Sequence, residues 1–220
     1  MLFNDTDRAR VATAIADAER RTAGEIVVIV SSEPQRYPAT CLSVAALLAL
    51  AVPMAALVAG WSPAALFGEW SDGAIVETRS LEALVIVQAL VFGSVLAALW
   101  FSGLARVLTP PGLRRDRVHR AALTQFKARG LEATTGRTGV LIYIDEPEHI
   151  AEIVADTGIY AKVSPDHWGT TVSALTDGIK AGKPADGVVA AVALAGDVLA
   201  VHFPPLADDV NELPDRLIEI

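Results

Sequence analysis

Cys41–Gly60 reads CLSVAALLALAVPMAALVAG and Leu81–Leu104 reads LEALVIVQALVFGSVLAALWFSGL. No charge occurs from Tyr37 to Gly68 or from Ala83 to Ala105, and Glu82 stands at the edge of the second run. At a rise of about 1.5 Å per residue, a helix of about 20 residues covers a hydrocarbon core of roughly 30 Å. The two runs therefore predict a transmembrane helical hairpin over residues 37–106, with spans at about 41–60 and 81–104. Pro53 is tolerated in a membrane helix, and Trp61, Trp70 and Trp100 fall near the expected interfaces. Arg36 precedes the first run; Arg106, Arg114, Arg115, Arg117 and Arg120 follow the second, while the connection holds Glu69, Asp72 and Glu77 against Arg79. Arginine outside the pair predicts both ends in the cytoplasm and a multi-pass chain in the inner (plasma) membrane. The spans hold Gln88 and no ionisable residue away from their edges, a poor basis for a transport path.

The remaining composition agrees with one soluble domain beside these spans. Hydrophobic residues make up 52% of the 220 and charged ones 20%, and the apolar excess is confined to Thr40–Ala105. The roughly 150 residues outside it suffice for one core and hardly for two. Division into 1–36, 37–106 and 107–220 follows, the outer pieces forming one domain. A net charge of −8 argues against a nucleic-acid partner and leaves the lipid bilayer and a membrane protein as expected partners. The single cysteine, Cys41, allows no internal disulfide or CxxC site and is expected to face lipid. The start, Met1–Arg8, has no basic stretch followed by an apolar one, so no export signal is expected.

Asp5–Arg21 predicts a helix capped at Asp5 or Thr6, with Val11, Ala14, Ile15 and Ala18 on one face. Glu25–Val30 (EIVVIV) is apolar on both faces and suits a sheet interior. Pro110-Pro111-Gly112 breaks the chain ahead of a basic helix from Arg114 to Arg129. Val140–Ile144 and Ile150–Ala155 predict two strands, antiparallel across the turn Asp145–Glu148. Ser164-Pro165 opens a helix that Gly182 closes. Ala185–Val201 predicts a last helix packed on the sheet, with a strand-turn-strand around Ala195-Gly196-Asp197 as the alternative.

In this order, GEIVVIV, GRTGVLIYI, AEIVADTGI, the helix opening at Asp166 and the final helix around Gly187 resemble the TPM-domain family. The resemblance spans Asp5–Ser32 and Arg114–Ile220. It is closest to the family's bacterial membrane-protein branch, where RTGVLIYI, a central Trp and an ending like HFP…NELPDRLIEI occur together. It implies a small mixed-sheet α/β sandwich, here interrupted by the hairpin, and an accessory role in membrane complexes. It also implies divalent-cation binding, by calcium or magnesium, in some members and weak acid phosphatase activity in others. Two departures stand out. Most members are exported, whereas the arginines here place the domain in the cytoplasm; and the hairpin lies inside the domain.

The candidate metal ligands are Asp145, Asp156 and Asp166. Hard cations take several carboxylate oxygens. The resemblance assigns Asp156, after the third strand, and Asp166, opening the next helix; Asp145, ending the second strand, is added from its position. Asp is equally at home in turns and helix caps. His119, His149, His167 and His202 show no metal spacing, and no nucleophile elbow or phosphate loop is present. Gly136–Gly139 could seat an anion on its backbone N–H groups but reads better as a tight turn. The expected function is a membrane-anchored accessory or scaffold module without catalysis. The alternative is a divalent-metal-dependent acid phosphatase-like enzyme at the membrane face.

Overall fold

A computed structural model describes residues 3–61, 73–134, 136–205 and 213–220. Glu69, Trp70 and Asp72, which the sequence puts in the loop between the apolar runs, lie outside these. The chain divides into two units, Met1–Pro34 with Gly112–Ile220, and Gln35–Pro111.

The first unit is a mixed α/β fold. Helix α1 (Asp5–Glu19) leads into strand β1 (Glu25–Ser31). Asn4 caps α1, one residue earlier than expected: its side chain accepts from the Asp7 amide at 2.8 Å, and the Asp7 carboxylate accepts in return from Asn4 N. After the inserted unit come helix α5 (Pro111–Ala128), a 3-10 turn (Leu131–Ala133) and the hairpin of β2 (Gly139–Asp145) and β3 (Ile150–Ala155). Pro111 is thus the first residue of α5, where its missing N–H costs nothing. Helices α6 (Thr157–Tyr160), α7 (Pro165–Lys180) and α8 (Pro184–His202) follow, and β4 (Leu217–Glu219) closes the sheet. The strand-turn-strand alternative at Ala195–Asp197 gives way to continuous helix.

The sheet has the order β3-β2-β1-β4, with β1 parallel to both neighbours and β3 antiparallel to β2. Flanked on both edges and covered on both faces, β1 is buried at all seven positions. Ile26, Val28 and Val30 pack with Val11 and Ile15 of α1, Leu175 of α7 and Val188 and Val192 of α8. Val27 and Ile29 pack with Val118, Ala122 and Phe126 of α5 on the other side. The long helices α1, α7 and α8 on one face and α5 on the other make a three-layer sandwich, and each buried Val or Ile contributes about 1.5–3 kcal/mol. Helices α7 and α8 meet backbone to backbone. A Cβ on Gly187 would lie 2.7 Å from the Leu175 carbonyl oxygen, so only glycine fits there.

The second unit consists of α2 (Pro38–Val58), α3 (Gly73–Ser102) and the short α4 (Leu104–Leu108). Helix α3 starts well before Leu81, so Glu77 and Arg79 belong to the helix and not to a loop. Helix α2 buries Cys41, Ala45, Ala49 and Pro53, one residue per turn. Cys41, expected to face lipid, is instead buried with Tyr37, Leu99 and Ala105. Its small side chain permits close helix packing, whereas lipid would accept any apolar residue. The outward face is made of large apolar side chains, including Leu47, Val58 and Phe101, the last 86% exposed. Among the described residues, three helices are long and apolar enough to cross a membrane: α2, α3 from Arg79 onward, and α8.

Candidate functional site

The three candidate ligands do not form one site. In the β2–β3 ladder Asp145 pairs with Ile150 at one end, while the Asp156 amide donates to the Gly139 carbonyl at the other. Six rungs separate them, roughly 20 Å at about 3.4 Å per residue, whereas a cation's ligands sit within about 2.6 Å of it. The antiparallel turn thus carries Asp145 away from Asp156, which corrects the expectation that Asp145 stands close to the other two acids. Among the described residues, no three His, Cys, Asp or Glu side chains converge to hold a metal ion.

Each acid has a local task. Asp145 is fully buried and accepts from the Glu148 amide at 3.0 Å, closing the turn. Glu148 in turn faces Arg114, at 3.4 Å. Asp156 caps α6, accepting from the amide and hydroxyl of Thr157 at 2.5 and 2.9 Å. Asp166 is exposed in the first turn of α7, where the helix dipole favours an acid, and its amide donates to Ser164 Oγ. Gly136 and Arg137 both adopt positive φ, and Thr138 ties the turn to the Ala23 carbonyl at 2.8 Å. The tight-turn reading of Gly136–Gly139 is the one realised.

Two features went unread in the sequence. At the C-terminus of α1, Glu19 shares a cavity of about 420 Å³ with Glu25 and Asp215. Burial, followed by hydrogen bonding to Asp215 and the nearby charge of Glu25, pushes the Glu19 carboxyl up to about 9, against the opposing hydrogen bond from Ile26 N at 2.8 Å. Glu19 therefore holds a proton at neutral pH and bridges α1 to the segment before β4. Each of the three acids is ordinary in sequence; only the fold brings them together.

The second feature is a groove of about 670 Å³ along β3. One wall is α5, with Arg115 and His119; the other is α7, with Trp168, Gly169 and Val172; the floor is Ala151–Ile153. His119 Nδ1 bonds to the Glu152 carboxylate across the floor. Trp168 is 7% exposed, and its buried indole Nε1 has no hydrogen-bond partner. Such a donor is costly to leave unsatisfied, by about 1–3 kcal/mol.

No protein-family model matches the chain, and no curated protein does. Among solved structures, the NMR structure of the BA42 protein from the psychrophilic bacterium Bizionia argentinensis is similar, with a TM-score of 0.59 and 21% identity. The match covers 99% of this chain and 95% of that one. At this identity the likeness concerns the fold alone.

Proposed function

We propose that the chain is a membrane-anchored accessory or scaffold module of the TPM type, whose α/β unit works at the cytoplasmic face of the inner membrane. The observation that carries the reading is the outer surface of α2 and α3. Leu42, Leu47, Leu50, Val52, Met54, Val85, Ile86 and Leu90 are all exposed there. A contiguous apolar surface of that extent is stable only against lipid or another protein. A hairpin returns the chain to the side it left, so an α/β unit can be interrupted by it without being divided by the bilayer. Arginines on the outer flanks favour the cytoplasmic side for both halves. The accessory role rests on the sequence resemblance and on the groove along β3, which offers binding surface.

Two measurements test the reading. The chain stays in the membrane pellet after alkaline carbonate extraction. In a Cys41→Ser background, Asp72→Cys is labelled by an impermeant thiol reagent in intact cells and Asp177→Cys is not. Release by carbonate removes the membrane anchor, and reversed labelling places the α/β unit outside the cytoplasm.

A further inference from the structure

We propose that the groove along β3 binds an extended polypeptide segment, which joins the sheet as a fifth strand between α5 and α7. The proposal deepens the accessory reading by assigning the place and manner of partner binding.

The β2–β3 ladder determines which backbone groups face the groove. In an antiparallel pair, hydrogen-bonded and non-hydrogen-bonded pairs alternate. The bond from Asp156 N to Gly139 O, at 2.9 Å, fixes that pair as bonded. The unbroken register then makes 141/154, 143/152 and 145/150 bonded and leaves 140/155, 142/153 and 144/151 unbonded. The N–H and C=O of Ala151, Ile153 and Ala155 therefore point away from β2. Among the described residues, no other strand pairs with β3. Ala155 is buried, whereas Ala151 and Ile153 line the groove, and their donors and acceptors are complementary to extended backbone, as in strand addition.

The walls determine what kind of strand fits. Helices α5 and α7 flank the edge, which suits a single chain better than the broad edge of a second copy with its own flanking helices. Side chains of an added strand alternate between the two walls. The α7 wall carries Trp168 and Val172, and Gly169 leaves open space, with nothing within 4 Å of a Cβ built there. Residues facing that wall should be apolar. On the α5 wall Arg115 and His119 stand beside Asp116, and Glu152 is already held by His119. That balanced side calls for short uncharged polar residues. The unpartnered Nε1 of Trp168, a side chain that lines this wall, is an independent sign that an acceptor is missing there.

The test titrates the full chain in detergent micelles with the peptide acetyl-Thr-Val-Thr-Val-Thr-Val-amide, followed by intrinsic tryptophan fluorescence and amide hydrogen exchange. Saturable binding is expected, with slowed exchange at Ala151 and Ile153. N-methylation of alternate peptide residues removes their donors and should weaken binding about tenfold or more, the effect of losing one or two backbone bonds. Ile153→Pro removes an outward N–H that β2 does not use and should do the same. Trp168→Phe tests the indole donor separately. Binding that does not saturate, or that N-methylation leaves unchanged, overturns the proposal. Self-crosslinking of Ile153→Cys in a Cys41→Ser background would give the edge to a second copy and also overturn it. Carbonate extraction and cysteine labelling report on membrane anchoring separately, so either idea can fail alone.

Discussion

Helices α3 and α8 are both long and apolar enough to cross a membrane, yet they meet different surroundings. In α8, 44% of the most apolar window is buried inside the protein; in α3, 6% is. The difference lies in where the small residues sit. Helix α8 carries Gly187 and Gly196 on its buried side, where a Cβ would approach Leu175 O to 2.7 Å and Ala18 Cβ to 2.7 Å. Its backbone can therefore approach α7 and α1 closely, and packing removes its apolar surface from water. Gly93 of α3 has nothing within 4 Å, and Val85, Ile86 and Leu90 around it point outward. Length and hydropathy select candidates for the bilayer; the presence of a fitted partner face within the chain separates those that need it from those that do not.

Substitution of the two glycines should break this comparison most sharply. Gly187→Leu must push α7 and α8 apart and should cost about 3 kcal/mol or more in the α/β unit, as overpacking against backbone does. Gly93→Leu should leave that unit within about 0.5 kcal/mol of the parent. Denaturant unfolding of the full chain in micelles, with Trp61, Trp70 and Trp100 replaced by Phe so that Trp168 alone reports, measures both. Equal effects would remove the distinction between the helices.

A smaller effect belongs to Glu19, at the foot of α1, the helix that α8 packs on. Its folded carboxyl titrates near about 9 and an ordinary glutamate near 4.5. Between those values the folded chain holds one more proton than the unfolded chain, so stability falls as pH rises through this window. Glu19→Gln keeps the acceptor for Ile26 N and removes the titration. It should stabilise the protein by about 1–2 kcal/mol at pH 8, a figure reduced for partial solvent screening, and by nothing near pH 4. Melting temperatures across pH 4–9 would show the two curves diverging upward; parallel curves would contradict the assignment.

The smallest effect is that of the exposed pair Arg21–Asp197, 2.6 Å apart, which joins the turn after α1 to α8 at the surface. Arg21→Ala should cost less than about 1 kcal/mol and less still in high salt. A larger loss would mean that charge, and not the Gly196–Ala18 approach, holds α8 against α1.

Much of this fold was legible because it is periodic. EIVVIV reads as an interior strand since every second residue on either face is apolar, and the Asp145–Glu148 turn between two β-rich runs reads as a hairpin. Strand β4 was not legible. Leu217–Glu219 is three residues long, and its partner β1 lies almost the whole chain away. The place of Asp145 was misread although the hairpin was not: an antiparallel turn necessarily carries Asp145 and Asp156 to opposite ends of the ladder. The Glu19 cluster and the groove beside Trp168 depend on which elements become neighbours, and neither leaves a local signal in the residues that build it.

Under the proposed membrane anchoring, α3 is solvated by lipid and α8 by protein and water. Nitroxide labels at Leu90 in α3 and at Ala193, an exposed position of α8, test it directly in a Cys41→Ser chain reconstituted in bilayers. Oxygen, which partitions into hydrocarbon, should relax the Leu90 label, and a water-soluble nickel chelate should relax the Ala193 label. A Leu90 label open to the nickel chelate, or an Ala193 label reached by oxygen alone, would contradict the account.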